Sequence, residues 1–276
     1  MIFTQENLVD WCKSHTFALK LHEIVAAKRK FAVMLQKHKL TDMKRTNIVF
    51  LTGAGISVES GLSTFRGKDG MWNNKDWRYY ASVEGLYHEP ENFLDFYNWR
   101  RQKLSEVEPN QAHLLIAELE KEHQVTVITQ NVDNLHERAG SSHVIHLHGE
   151  LAKVCSSKNR LDPNCIKDYP LTTPIKLGDD AGDGSQMRPF VVLFGEYVSG
   201  MEVAQDFVSQ ADIFVVVGTS LAVYPAAGLI RYAFKEVPRF VIDPNEIEAC
   251  EALGFEHIQA SASEGMKLLL DRFKEL

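Results

Sequence analysis

The apolar run Ile48-Val49-Phe50-Leu51 leads straight into GAGISVESGLSTFRG, residues 53–67. No other stretch limits the fold so strongly. An apolar run before a glycine-bearing turn reads as a short strand covered on both faces, the mark of a parallel sheet. A helix is expected to begin near Ser57. Gly53 and Gly55 are expected to take backbone angles that a Cβ would forbid, bringing main-chain N–H groups close to a pyrophosphate. The helix N-terminus behind them would add partial positive charge. Dinucleotide binding is the reading of this turn. The spacing is not Gly-x-Gly-x-x-Gly, because Val58 stands where the third glycine would be, so the glycines alone also suit an ordinary strand-to-helix turn.

From Thr46 onward short strands alternate with helices. Strands are expected at Ile48–Thr52, Val125–Thr129, Val144–Leu147, Val191–Phe194, Ile213–Gly218 and Phe240–Ile242. Helices are expected at Pro90–Glu106, Ala112–His123, Val203–Gln210, Pro225–Phe234, Ile247–Leu253 and Ser263–Phe273. Such alternation predicts an α/β fold, a doubly wound parallel Rossmann-like sheet. Two stretches interrupt it and are expected to form a smaller inserted module. One is helical, about residues 67–108. The other, about residues 151–189, is rich in Pro, Gly, Asp and Ser.

A chain of 276 residues, 45% hydrophobic, has ample apolar surface for a core. No apolar run is long enough to span a bilayer and no signal peptide is evident, so no membrane association is expected. Cys12, Cys155, Cys165 and Cys250 make no disulfide framework, which fits a reducing, cytoplasmic setting. The net charge of −7 argues against nucleic-acid binding and suits basic, lysine-bearing protein substrates. Residues 1–42 differ from the rest, at +3, which leaves −10 for residues 43–276. Leu19, Leu21, Ile24, Val25, Phe31, Met34 and Leu35 predict an amphipathic helix in that segment.

Two further segments accompany the first turn: TQNVDNLHERAG, residues 129–140, and HLHGE, residues 146–150. The three together, in this order, resemble the sirtuins, the NAD-dependent protein-lysine deacylases. The resemblance runs from about Asn47 to the C-terminus. It implies a catalytic domain over residues 43–276. The sequence does not fix the oligomeric state, and a monomer is the expectation. Residues 1–42 would then be an N-terminal helical extension, either appended or read from a misplaced start.

The resemblance implies roles for particular residues. Gly53, Ala54, Gly55, Ser57, Phe65, Arg66 and Trp72 would cover NAD, with Phe65 and Arg66 over the nicotinamide ribose and phosphates. Gln130 would touch the ribose, and Asn131, Val132 and Asp133 would shape the nicotinamide pocket. Gly218, Thr219 and Ser220 match a second cofactor motif. Asp243 and Asn245 would serve the ribose, and Ala262 would line the adenine pocket. Asp243 departs from the family, which usually has Asn there. His148 would be the catalytic base, since only it, among His136, His143, His146 and His148, directly precedes Gly149-Glu150. Asn131 and Asp133 complete the catalytic set. Phe194-Gly195-Glu196 would pair by its backbone with an extended substrate peptide.

Tyr97 and Arg100 stand three apart and so share one helix face. A phenol beside a guanidinium suits an acyl chain that ends in a carboxylate. The pair, with the small Ala81 upstream, resembles the class that removes succinyl, malonyl or glutaryl groups from lysine. A solvated helix face is the bland reading of the same two residues. Sirtuins commonly carry two close cysteine pairs for zinc. Here only Cys155 and Cys165 fall between Leu151 and Pro189, so no zinc is expected.

The implied reaction transfers the acyl group from lysine to NAD-derived ADP-ribose, releasing nicotinamide and O-acyl-ADP-ribose. One rival is an NAD glycohydrolase or ADP-ribosyltransferase. A non-catalytic NAD-sensing module is another, and intact His148, Asn131 and Asp133 speak against it.

Overall fold

The structure, a computed structural model, describes residues 45–65, 70 and 76–274. The helix expected in residues 1–42, together with Arg66 and Trp72, lies outside them. The strands are β1 Asn47–Thr52, β2 Gln124–Thr129, β3 Val144–His146, β4 Gly149–Ser156, β5 Lys167–Asp168, β6 Met187–Val191, β7 Ile213–Val217, β8 Arg239–Ile242 and β9 Glu256–Ile258. The α-helices are α1 Trp77–Tyr80, α2 Val83–His88, α3 Pro90–Ser105, α4 Gln111–Leu119, α5 Leu135–Ala139, α6 Met201–Ser209, α7 Glu248–Glu251 and α8 Ala262–Phe273.

Six strands form one parallel sheet in the order β3-β2-β1-β7-β8-β9. β1 lies inside it, with Phe50 paired to Val127 on one side and Val215 on the other. Every residue of β1 is buried. Alternate residues feed opposite layers, as the two-residue period of a strand requires. Val49 and Leu51 pack with Ala204, Val208, Leu229 and Ile230, from α6 and a 3-10 helix at Ala226–Arg231. Ile48 and Phe50 pack with Ala112 and Ile116 of α4 and with Met266 and Leu269 of α8. Helices thus cover both faces, and the sheet is doubly wound. Truncating the fully buried Phe50 to Ala would cost about 3–5 kcal/mol.

A third core lies apart from the sheet. Phe93, Phe96, Tyr97 and Leu104 of α3 pack there against Val154, Ile175, Met187 and Val191. Its scaffold is a small antiparallel sheet in the order β5-β4-β6.

Local details differ from the sequence reading. The element after β1 is a 3-10 helix, Ala54–Ser60, which begins before Ser57 and ends at Gly61 in the left-handed region, φ 100°. The segment expected as a helix over Pro225–Phe234 is likewise 3-10, over Ala226–Arg231. The strand expected at Val191–Phe194 ends at Val191 and pairs with β4 at the edge of the small sheet. Pro189, which has no N–H, is tolerated in that edge strand. β4, β5 and β9 stand outside the expected strands. Apolar periodicity identifies a buried strand without saying which sheet takes it.

Candidate active site

The strand order reverses between β1 and β7, and ligands of open α/β sheets bind in the crevice at such a point. The carboxyl ends of β1, β2, β7 and β8 open here into a cleft of about 1740 Å³. Gly53, Ala54, Gly55 and Phe65 line it from the first loop, and Gly218, Thr219 and Ser220 from the loop after β7.

The glycines serve this junction differently from expectation. Gly53 is extended, φ −132°, a conformation any residue can adopt. What excludes a side chain is proximity: a Cβ on Gly53 would lie 2.6 Å from Thr219 Cβ, and one on Gly55 2.6 Å from Gly218 Cα. The Gly53 N–H donates to Val217 O at 3.0 Å and the Gly55 N–H to Gly218 O at 2.8 Å. Neither N–H is left for a phosphate. The two glycines weld the first cofactor-type loop to the second.

After β2 the chain turns inward. Asn131 Nδ2 donates to Gly53 O at 3.1 Å and to Ser57 Oγ at 3.2 Å, and Ser57 Oγ donates to Asp133 Oδ2 at 3.1 Å. Asp133 Oδ1 accepts from the Leu135 N–H at 3.2 Å. Gln130, Asn131 and Val132 line the cleft. Ser57 and Asp133 do not: they are buried one layer behind it, bracing Asn131. Burial raises the Asp133 pKa above the ordinary carboxylate range. Gln130 Nε2 donates to Thr219 Oγ1 at 3.0 Å, a second tie between the motifs.

His148 lines the same cleft. Its Nδ1 bonds to Gln130 O at 2.7 Å. A carbonyl only accepts, so Nδ1 carries the proton and Nε2 is the basic nitrogen of the neutral ring. Burial lowers the pKa, opposed by the bond to Gln130. The competing histidines are engaged elsewhere. His146 bonds to Asn131 O and Glu137 Oε1, His136 to Thr52 Oγ1, and His143 to Thr126 Oγ1.

Ala81, Tyr97 and Arg100 also line the cleft. Tyr97 is buried, its phenol pushed up to about 12 by desolvation. Arg100 is half-buried and has no ion pair or hydrogen bond among the described residues. The next residue is its opposite. Arg101 is fully buried and donates to the carbonyl oxygens of Leu151, Tyr169 and Pro170. One arginine ties α3 to the small module, while its neighbour points an unspent cation at the cleft.

Phe194, Gly195 and Glu196 line the cleft, and part of their backbone is engaged within the chain. The Phe194 N–H donates to Ala81 O at 2.8 Å, Phe194 O accepts from the Val83 N–H at 3.2 Å, and the Glu196 N–H donates to Leu193 O at 2.9 Å. The Phe194 N–H is therefore not available to a substrate peptide. The Glu196 carboxylate is internal too. It meets Arg188, the Arg160 Nε at 3.3 Å and the Leu193 N–H at 2.9 Å. At the far end of the cleft stand Asp243, Asn245 and Ala262. Asp243 Oδ1 accepts from the Asn245 N–H at 2.9 Å. Sequence reasoning missed Glu59, whose carboxylate accepts from Ser261 Oγ at 3.1 Å and the Ser263 N–H at 2.8 Å and so caps α8 from the first loop. It also missed the Arg160–Glu196–Arg188 cluster. Neither carries a local motif.

The residues do not fit a four-thiolate zinc site. Among the described residues Cys165 is grouped only with Asp162 and Asp183, and Cys155 Sγ lies 3.6 Å from Pro189 O. Asp183 is committed to Ser156 Oγ at 2.7 Å and Ser185 Oγ at 2.6 Å, which hold its pKa down at about 2.

Residues 53–225 match the model of the Sir2 family. An NAD-dependent protein deacylase of Bacteroides thetaiotaomicron is 52% identical over 81% of this chain and 96% of its own length. One from Helicobacter pylori is 48% identical over 83% of this chain and 98% of its own. Among solved structures, a Sir2 homologue with ADP ribose superposes with a TM-score of 0.74 at 36% identity, covering 83% of this chain and 92% of that one. A Sir2 homologue in complex with NAD gives 0.70 at 36%, covering 83% and 89%. A Sir2 protein with a deacetylated p53 peptide and 3'-O-acetyl ADP ribose gives 0.67 at 29%, covering 87% and 98%. The chain belongs to the Sir2 family. Among the described residues no helix is long and apolar enough to cross a membrane.

Proposed function

We infer that this chain is an NAD-dependent protein-lysine deacylase whose pocket favours acyl groups ending in a carboxylate. The names of its relatives support the general activity. One observation carries the finer reading: Arg100, a half-buried guanidinium with no ion pair or hydrogen bond among the described residues, lines the cleft beside Tyr97 and Ala81. A cation partly withdrawn from water with no partner is costly. An acyl carboxylate would complete it with charge-assisted bonds.

Bound NAD would supply an electrophilic ribose carbon and nicotinamide as leaving group. The chain's own residues do the rest. Asn131, held by Gly53 and Ser57, presents its amide at the carboxyl edge of the sheet. His148, neutral and fixed by Gln130, takes a proton at Nε2 from a ribose hydroxyl. The same reading takes the small module as metal-free, because its residues suit neither a Cys nor a His ligand set.

The test compares matched acetyl-, malonyl- and succinyl-lysine peptides with NAD, with mass spectrometry of both products. Hydrogen bonds to charged groups contribute roughly 1.5–3 kcal/mol, or about ten- to hundredfold. Arg100→Met should therefore lose most desuccinylation and keep much deacetylation, and Tyr97→Phe should do the same more mildly. Equal loss of both activities would leave a deacylase without acidic-acyl preference. Nicotinamide release that ignores the acyl peptide would favour a glycohydrolase instead.

A further inference from the structure

Among the described residues Arg100 has no hydrogen bond or ion pair, but it has aromatic neighbours. Its Cζ lies over the Phe65 ring, 4.6 Å from the centroid, and 5.9 Å from the centroid of Phe96. The two rings have different origins. Phe96 is a buried core residue of α3, with ring centroids 5.1 Å from Tyr80 and 5.2 Å from Tyr97. Phe65 comes from the first loop, the stretch that lines the NAD-type end of the cleft, and lines the cleft itself. The guanidinium of the acyl pocket therefore touches an aromatic ring of the cofactor loop.

We propose that Phe65 is a positioning residue for acyl selectivity, acting through Arg100, and that it thereby links acidic-acyl recognition to the cofactor side of the cleft. The proposal rests on the acidic-acyl reading above. A ring below a guanidinium attracts it through the quadrupole, contributing about 0.5–1 kcal/mol where exposed. Contact through the face leaves the in-plane N–H groups open, and those are the donors that match a carboxylate. The ring also shields that face from water, so an arriving carboxylate meets a less hydrated cation. Phe96, at 5.9 Å, lies near the limit of such a contact and contributes less. Because Phe65 sits beside the cofactor motif, a cofactor that fixes its ring also biases the guanidinium lying on that ring. By linkage, binding on one side then strengthens binding on the other by the same factor.

The experiment measures kcat/KM for succinyl- and acetyl-lysine peptides in the full chain and in Phe65→Leu, Phe65→Tyr, Arg100→Met and the Phe65→Leu/Arg100→Met double variant. The succinyl-to-acetyl ratio is the readout, since both rates come from one preparation and any loss of active enzyme or of NAD affinity cancels. Phe65→Leu should lower the ratio about two- to fivefold, the range a surface cation–π contact supports. Phe65→Tyr should restore it. In the Arg100→Met background Phe65→Leu should leave the ratio unchanged.

A wild-type enzyme that prefers succinyl, with a Phe65→Leu ratio equal to its own, overturns the role of Phe65 and leaves the acidic-acyl reading standing. A wild type without preference, and an unaltered ratio in Arg100→Met, overturns both. If Phe65→Leu proves too slow to assay, calorimetric titration of the two peptides with and without ADP-ribose decides. ADP-ribose should tighten the succinyl peptide more than the acetyl peptide in wild type and equally in the variant. Equal tightening in wild type sinks the linkage.

Discussion

His148 donates its Nδ1–H to the main-chain oxygen of Gln130 at 2.7 Å. That bond selects the tautomer with a basic Nε2 and holds the ring against the segment that also carries Asn131. His148→Ala should reduce deacylation about 10²–10⁴-fold while NAD still binds, as seen by isothermal titration. Near-normal turnover would remove His148 from the base role. Its pKa is lowered by burial, so the active neutral form persists below the ordinary histidine range. The acidic limb of the kcat/KM profile should accordingly fall below about pH 6.5. A limb above that value would contradict the burial argument.

Glu196 holds the small module to the cleft. Arg188 is wholly buried, and Arg160 nearly so, with side-chain exposures of 0% and 6%. Glu196→Ala would leave both cations uncompensated, and breaking a buried pair this way costs about 3–5 kcal/mol. Denaturant unfolding should show that loss. A change below about 1 kcal/mol would mean that the carboxylate is dispensable.

His113 and His136 make the fold acid-sensitive. Their rings meet at 4.8 Å, and His113 Nε2 and His136 Nδ1 have no hydrogen-bond partner among the described residues. Burial pushes His113 down to about 4, against a slight rise from Glu137, and lowers His136 well below its ordinary value. The unfolded chain takes up these protons near pH 6.5 while the folded chain refuses them. Stability is thus fully present above about pH 6.5 and falls as pH drops, for His113 until about pH 4. His113 alone accounts for a loss on the order of 3 kcal/mol. His113 Nδ1 also accepts from the Asn110 N–H at 3.4 Å, closing a capping box at the start of α4. His113→Gln should keep that box and flatten the pH dependence of the unfolding free energy. An unchanged slope would exonerate His113.

The cysteine-poor module should not depend on zinc. Its turns are held instead by Ser156, whose hydroxyl bonds to Asp183 and Ser185 and accepts from the Lys158 and Asn159 N–H groups. Activity should survive prolonged chelation, and elemental analysis should find well under one zinc per chain. One zinc per chain, with activity lost on its removal, would show that carboxylates complete a site around Cys165.

The sequence by itself determined the parallel sheet and the family. The apolar runs at β1, β2 and β7 are local and unambiguous, and GAGISVESG, TQNVDN and HLHGE are contiguous strings that resemble one family. It also placed Tyr97 and Arg100 on one helix face, since three-residue spacing is a local property. Only the tertiary structure decided how these residues are used. Gly53 and Gly55 are small because the loop after β7 passes within contact distance, a relation between residues some 165 apart in sequence. Asp133 lies behind the cleft because Ser57 reaches it from another strand end. Phe194 and Glu196 turn inward because Ala81, Val83, Arg160 and Arg188 claim their bonds. Arg100 and Arg101, identical in type and adjacent in sequence, are separated into an open cation and a satisfied one by three carbonyls of the small module. Local patterns specify elements and faces. Which polar group is satisfied and which is left for a ligand depends on distant partners that only folding brings into reach.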